Sequence, residues 1–514
     1  MASIWRMALG STSDRSLDLF LQALSLALTP MAIGAIGLGA LVGLIFGSTP
    51  GLTFTVALAL ALPMTFSMDP VPAMGLLLGT YIGGMTGGSV SAILLGIPGT
   101  PSAAATVLDG HPMTKQGEAS IALGTAVIVS VFGGIFSLAV MVVSVDLVSK
   151  LAIGFGPAEI FALVLFGMST ICGLCGDSLL KGLIAGVLGL MVMTIGIDTI
   201  EGVPRMTFGS VNMLQGVNLL VALIGVFAIP FVIEALSEDK NAHSQNTRVI
   251  RVKVELPKIR LLIRNAWLMV RCSILGTGIG AIPGAGGPIA SFLAYDHAKR
   301  FSKKPERFGK GNIEGVIAPE TANNAVTGGT LIPLLSLGIP GDPATAIVLA
   351  GLMIHGITPG PALFMNYASE VYGIYVAVVL AYIWVLGLQL VGIRIFVHVL
   401  KIPREMLALT VLVLCAVGAF SIRNSAFDIY AMGVIGVLAY FLIALRVPIT
   451  PIILGMVLGP TLENEFRTAM MLSNGNIDVF YTSPTVLIFF TLALLVIGLQ
   501  LKSELTRKTK HQDN

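Results

Sequence analysis

Two short strings carry the residues best able to do chemistry in this chain. Gly96-Ile97-Pro98-Gly99-Thr100-Pro101 recurs as Gly338-Ile339-Pro340-Gly341-Asp342-Pro343, each inside an apolar stretch. Proline removes a backbone donor and glycine permits φ above zero, so each string ends a helix where hydrocarbon would surround it. Free backbone groups are costly in lipid, and such a break survives only inside protein or beside water. The N–H groups of a helix that restarts there suit a carboxylate, while freed carbonyls and hydroxyls suit a small cation such as sodium. Near the first string stand Ser89, Ser91, Thr100, Ser102, Thr106 and Asp109; near the second stand Glu314, Glu320, Asn323, Asn324, Thr327, Thr330, Asp342 and Thr345. A charge in an apolar segment is a functional candidate by default, which selects Glu320 and Asp342. Substrate contacts are therefore expected at Ser89, Pro98, Gly99, Thr100, Ser102, Asn323, Asn324, Pro340, Gly341 and Thr345. Cation coupling is expected at Asp342, Glu320 and Thr330.

Plainer roles compete with these. Glycine-rich segments also serve tight helix packing. Serine and threonine hydroxyls bond back to their own helix. Asp109 in L-D-G-H-P-M suits a turn as well as a ligand, and Glu314 fits a polar loop. His111, His297 and His355 invite a proton-relay reading but are scattered and have no evident carboxylate partner. The pairs Asp198/Arg205 and Glu463/Arg467 have spacings that favour structural ion pairs. Cys172 and Cys175 form a C-x-x-C with no second Cys or His pair, so neither a structural metal nor a disulfide framework is expected.

The elements that must position these residues follow from composition. Of 514 residues, 55% are hydrophobic and 11% charged, against roughly 25% charged in a soluble protein. The class is an all-α polytopic membrane protein with about 10–12 transmembrane spans, several of them broken or re-entrant. The net charge of +3 and the lack of a dense basic run argue against nucleic acid. Full spans are expected near 120–145, 156–176, 178–198, 214–236, 261–281, 371–397, 405–421, 426–445 and 483–501. Stretches too short or too interrupted to cross simply lie at 51–68, 71–97, 284–296, 316–337, 344–357 and 447–461. The N-terminus lacks the apolar core of a signal peptide.

The two strings belong to a larger internal repeat. Gly47-Ser48-Thr49-Pro50-Gly51 matches Gly280-Ala281-Ile282-Pro283-Gly284, and Gly87-Gly88-Ser89 matches Gly328-Gly329-Thr330, in the same order and at nearly the same spacing. The organisation expected is an N-terminal interfacial turn and first span (1–46), a first repeat (47–236), a polar linker (237–260), a second repeat (261–501) and a tail (502–514). The loop after Pro283 holds Lys299, Arg300, Lys303, Lys304, Arg307 and Lys310, whereas its counterpart after Pro50 holds no Lys or Arg. Positive residues mark the cytoplasmic face, so equivalent loops are expected on opposite faces and the repeat is expected to be inverted. By the same rule the linker, the turn with Arg394, Lys401 and Arg404, and the tail with Arg507, Lys508 and Lys510 read as cytoplasmic.

At these residues the sequence resembles the large membrane subunit of the tripartite tricarboxylate transporters, the TctA-like family. The stretches that carry it are GSTPGLTFTVALALALPMTFSMDP, YIGGMTGGSVSAILLGIPGTPSAAATVLDGHPMTKQGEA, the long run from GAIPGAGGP to GIPGDPATA, and LGPTLENEFRTAMMLSNGN. Gly96, His111, Thr199 and Met206 stand where Asn, Tyr, Pro and Phe are usual in the family. The resemblance implies a multi-pass secondary transporter of the bacterial inner membrane, without a cofactor. It implies two partners, a small TctB-like membrane subunit and a periplasmic TctC-like solute-binding protein. It implies carboxylate import, citrate being the namesake, driven by a sodium or proton gradient. Two other classes remain open on the residues alone. A passive anion channel would also use broken helices. An intramembrane enzyme could draft the hydroxyls and His111, although no G-x-S-x-G or H-E-x-x-H string occurs.

Overall fold

The computed structural model describes residues 21–50, 52–174, 178–198, 200–237, 254–399 and 404–512. The expected N-terminal turn before residue 21, Gly51, Cys175, Thr199, Lys401 and most of the polar linker lie outside the described residues. So do the side chains of Cys172, Arg394, Arg404, Arg507, Lys508 and Lys510. Among the described residues the regular elements are helices apart from one short hairpin, Gly196–Ile197 against Pro204–Arg205. The first half runs α1 (Pro30–Ser48), α2 (Phe54–Met64), α3 (Pro70–Leu95), α4 (Ala104–Lys115), α5 (Ala119–Ala152), α6 (Pro157–Leu174), α7 (Leu179–Met193) and α8 (Leu219–Ser237). The second half runs α9 (Ala266–Gly280), α10 (Gly286–Phe301), α11 (Glu314–Leu337), α12 (Pro343–Ile354), α13 (Ala368–Val399), α14 (Arg404–Arg423), α15 (Ala426–Ala444), α16 (Ile449–Leu472) and α17 (Pro484–Gln512). Among the described residues eight helices are long and apolar enough to cross a membrane, and five apolar helices are shorter. The protein is an all-α polytopic membrane protein.

Packing partners recur in chain order. Helix α1 lies on α3 as α9 lies on α11, α3 meets α13 as α11 meets α5, and α8 meets α15 as α16 meets α7. One large apolar core joins α1, α3, α5, α9, α11, α12 and α13. A satellite core gathers α2, α8, α14 and α15, and a smaller one gathers α6, α16 and α17. Helices α14, α15 and α17 turn Val413, Val434, Leu494 and other large apolar side chains outward, a face suited to lipid or to another membrane-embedded surface.

Two expectations about the elements need correction. The stretches 71–97, 316–337 and 447–461 were expected to be short or interrupted, yet α3, α11 and α16 are continuous helices of 26, 24 and 24 residues. The glycines of α3 do not break it, because they serve close packing on α1. A Cβ at Gly47 would lie 2.2 Å from Gly84 O, and one at Gly83 would lie 2.4 Å from Ala40 O. Helix α11 tolerates Pro319 and Pro333 because it is enclosed by protein along almost its whole length. Conversely, 178–198 and 261–281 were expected as full spans, but α7 and α9 have only 15 residues each. That is about 22 Å of helix, short of a hydrocarbon core of about 30 Å.

The hairpin that follows α7 is clasped to α16. Arg205 pairs with Asp198 at 2.7 Å and with Glu463 at 2.5 Å. Arg467 pairs with Asp198 at 2.8 Å, with Glu201 at 2.7 Å and with Glu463 at 3.4 Å. The two pairs read in the sequence are thus one cluster. Hydrogen bonds from Arg467 and from the Ile200 N–H hold the Asp198 carboxyl down at about 2, against an ordinary value of about 3.9. A carboxyl with a lowered folded-state value stabilises above its unfolded value and loses that contribution as pH falls through the folded one. Amide hydrogen exchange at 196–205, taken relative to the intrinsic rate at each pH, is therefore expected to be flat down to about pH 4 and to rise toward pH 2. Arg467→Ala should raise it already at neutral pH.

Candidate functional site

Helices α3 and α11 end alike. Gly96 and Gly338 adopt left-handed φ of 71° and 73° as C-caps, a conformation that costs glycine little. The chain then restarts as helix at Pro101 and at Pro343. The second restart is capped by Asp342, whose Oδ1 accepts the Thr345 N–H at 2.7 Å and the Thr345 hydroxyl at 2.8 Å. Backbone bonds tie the breaks to their surroundings: Gly284 N donates to Gly341 O at 2.7 Å, and Gly99 N to Gly88 O at 3.4 Å.

Between the breaks lies a cavity of about 560 Å³. One wall is the start of α2 (Thr53–Val56), Met85, Pro101, Ser102, the Gly284–Ile289 turn and Asp342–Ala344. The other is Val226–Glu234 of α8 with Ile443 and Ile449–Ile453 at the start of α16. The starts of α2, α10, α12 and α16 all open onto this space. Those of α2, α10 and α16 have no side-chain cap bond; Val56 N bonds Thr53 O and Pro288 and Pro451 carry no N–H, which leaves the N–H groups of the first two residues of each helix for a ligand. Among the described residues no lysine or arginine lines the cavity, and its acidic residues are Asp342 and Glu234.

A polar network backs this wall. Tyr81 Oη donates to Asp342 Oδ2 at 2.7 Å and lies 3.2 Å from Thr330 Oγ1. Thr86 donates to Asn324 Oδ1 at 2.8 Å, and Asn324 Nδ2 donates to Glu320 O at 3.1 Å. Asn323 Nδ2 donates to Met85 O at 3.1 Å, which aims Oδ1 toward Gly287. Asn323 is fully buried and that Oδ1 has no hydrogen-bond partner. A Cβ at Gly287 would lie 2.8 Å from it and 2.9 Å from Ser102 Cβ, so only glycine leaves room there.

The residues singled out in the sequence separate into groups. Ser102 and Asp342 line the cavity, with Asn323 beneath it. Pro98, Gly99, Pro340 and Gly341 form the turns, Thr100 shares a hydrogen bond with Ser102 at 3.1 Å, and Thr345 completes the Asp342 cap. Thr330 joins Asp342 through Tyr81, whereas Ser89 bonds back to Thr86 O at 2.7 Å in its own helix. Glu320 is not brought to Asp342; it takes hydrogen bonds from Thr106 at 2.6 Å and Ser130 at 3.3 Å, away from the cavity lining. Asp109 holds a turn, accepting from the amides of Gly309, Gly311 and Asn312 and from Tyr295 Oη. Glu314 accepts from Ser302 at 2.6 Å. His111 lies 3.4 Å from Ile93 O, His297 stacks near Phe301, and His355 caps α12, so the three are not assembled into a relay. Tyr81, Thr86, Ser130, Tyr382 and Glu234 were passed over in the sequence. Of these, Glu234 carried a signal, as the one acidic residue of an apolar helix.

Comparison with known proteins identifies the family to which a chain with this cavity belongs. Residues 33–454 match the model of the tripartite tricarboxylate transporter TctA family. An uncharacterized 52.8 kDa protein in the TAR-I ttuC′ 3′ region of Agrobacterium vitis is 37% identical over 473 residues, 92% of this chain and 93% of that protein. An uncharacterized protein in the TAR-II ttuC′ 3′ region of the same organism is 39% identical over 233 residues, 45% of this chain and 96% of that protein. With the match extending over both halves and both helix breaks, the chain belongs to the tripartite tricarboxylate transporter TctA family, a family of transporter subunits and not of enzymes.

Proposed function

We propose that this chain is the permease subunit of a bacterial inner-membrane importer of carboxylates, citrate or a related organic acid, working by cation-coupled alternating access. The cavity carries this reading. Three helix starts, those of α2, α10 and α16, supply uncapped N–H groups and the positive ends of their dipoles to a space that no basic side chain among the described residues lines. Its volume of about 560 Å³ suits a small ligand. Asp342 and Glu234 make the same space repel a polyanion unless a cation enters with it. Two unit charges about 4 Å apart interact by about 4 kcal/mol at an effective dielectric near 20. Coupling is thus an electrostatic requirement of binding. Asp342 Oδ2, Tyr81 Oη and Thr330 Oγ1 form the cation side of the site; Ser102, Asn323 and the uncapped starts of α2 and α10 form the anion side. The two halves act as an inverted repeat, and movement of the break-bearing wall against α8 and α16 opens the site to either face. A solute-binding protein of the TctC type delivers the anion, and a TctB-like small subunit completes the assembly.

The test is uptake of radiolabelled citrate into proteoliposomes containing this chain, its cognate small subunit and its binding protein, with and without a sodium gradient. Accumulation above equilibrium that requires the gradient is the expected result. Equilibration without accumulation would identify a channel. Accumulation of another carboxylate in place of citrate would keep the mechanism and change the substrate.

A further inference from the structure

Glu320 is the buried acid that the cavity does not use. It stands on α11 one turn before Asn323, whose Oδ1 lies under the cavity at Gly287, so about 5 Å of helix rise separates them. Its side chain is completely enclosed. Its side-chain partners are two hydroxyls, Thr106 on α4 and Ser130 on α5. Among the described residues no lysine, arginine or histidine is bonded to it. The titratable and charged groups on the packed elements have other neighbours: His111 on α4 lies beside Ile93 O, and on α10 Arg300 pairs with Asp296 and His297 lies against Phe301. Asp109 on α4 faces Tyr295 of α10 and the amides of Gly309, Gly311 and Asn312. Tyr81 on α3 faces Asp342 of α12, and Tyr382 on α13 binds Thr327 and Asn324 O. Arg271 on α9 lies over Phe301, Cys272 on the same helix is a buried free thiol, and Asp146 on α5 pairs with Lys150 at the exposed end of that helix.

The partners distinguish the two buried acids. Asp342 Oδ1 faces a backbone N–H at a helix start, a donor that favours the anion. Glu320 has hydroxyl partners, and a hydroxyl donates to a carboxylate or accepts from a carboxylic acid with equal ease. A buried carboxylate with no cation beside it is strongly disfavoured, while the neutral acid can keep both hydrogen bonds by turning one hydroxyl. Ser102, on the cavity wall, and Thr106 are four residues apart on the segment that runs into α4, so polar groups step from the cavity toward Glu320.

We propose that Glu320 is a proton-binding site of the transport cycle, distinct from the cation site at Asp342, and that it holds its proton when an anion occupies the cavity one turn away. This rests on the carrier reading only for the link to the anion; the proton site itself is testable without any substrate. Infrared difference spectra of the reconstituted protein, in H2O and D2O between about pH 5 and 9, are expected to show a protonated-carboxyl carbonyl band. Glu320→Gln should abolish the band, Asp342→Asn should retain it, and Thr106→Val and Ser130→Ala should each move it. Absence of the band from the unsubstituted protein, or its persistence unmoved in Glu320→Gln, Thr106→Val and Ser130→Ala, overturns the proposal. In the uptake assay, with the carboxylate that accumulates, linkage of one proton makes apparent affinity change by up to about tenfold per pH unit. That slope should vanish in Glu320→Gln, and an unaltered slope refutes the link. Failure of every carboxylate to accumulate would count against the carrier reading, while the infrared result still decides the proton site.

Discussion

Asp342→Asn is expected to abolish gradient-driven uptake while leaving the protein folded and assembled. Asparagine is as good an N-cap as aspartate, so the bond to the Thr345 N–H that starts α12 survives. What disappears is the one negative charge bonded to Tyr81 and, through it, to Thr330. A cation about 4 Å from that charge loses about 4 kcal/mol at an effective dielectric near 20, roughly a thousandfold in cation affinity. Asp342→Ala removes the cap as well and should cost about 1 kcal/mol of stability, visible as a lower melting temperature. Tyr81→Phe separates the charge from its positioning donor: a hydrogen bond to a charged group contributes about 1.5–3 kcal/mol, so uptake should fall by one to two orders of magnitude with sodium dependence retained. Sodium titrations of uptake read all three. If Asp342→Asn keeps the sodium dependence of the unsubstituted protein, the cation site is elsewhere.

The sequence made the two breaks legible because Gly-Ile-Pro-Gly-x-Pro combines the two residues that end helices in one string. It made their duplication legible for the same reason. It left ambiguous what each further glycine does. In the Gly83-to-Gly88 run the residue type permits either a break or a close approach, and only the facing backbone of α1, with Gly47 against Gly84, decides for packing. The same limit applies to hydroxyls. Ser89 and Ser102 look equivalent in sequence, but Ser89 bonds its own helix and Ser102 reaches the cavity. Tyr81, Ser130 and Tyr382 were beyond sequence reasoning, since each matters through a partner that tertiary packing brings from far along the chain. Glu320 and Asp342 were both found by one rule, the cost of charge in hydrocarbon. The rule could not see that they occupy different places, because it reads solvation and carries no information about partners.

Gly99→Ala should be the most damaging single-methyl change in the site. A Cβ there would lie 2.1 Å from Gly47 O and 2.6 Å from Ser91 Oγ. The first contact is with backbone in the packed end of α1 and cannot be relieved by a rotamer. Overpacking of this kind costs about 1–3 kcal/mol or more, and here it acts on the turn that sets the Pro101 restart and Ser102. Gly341→Ala meets Thr330 Cβ at 2.8 Å, Cγ2 at 2.9 Å and Cα at 3.0 Å; α11 must give way there too, but the overlap is shallower, so its effect should be smaller and fall mainly on cation dependence. Gly278→Ala, with nothing within 4 Å and an exposed place on α9, should be neutral or stabilise by up to about 1 kcal/mol through helix propensity. Thermal melts and uptake on the three variants should therefore rank Gly99→Ala as most harmed, then Gly341→Ala, then Gly278→Ala. Normal stability and uptake in Gly99→Ala would mean that the first break is not clamped against α1. The anion side of the site would then lack the rigidity that lets helix starts hold a carboxylate without a basic side chain.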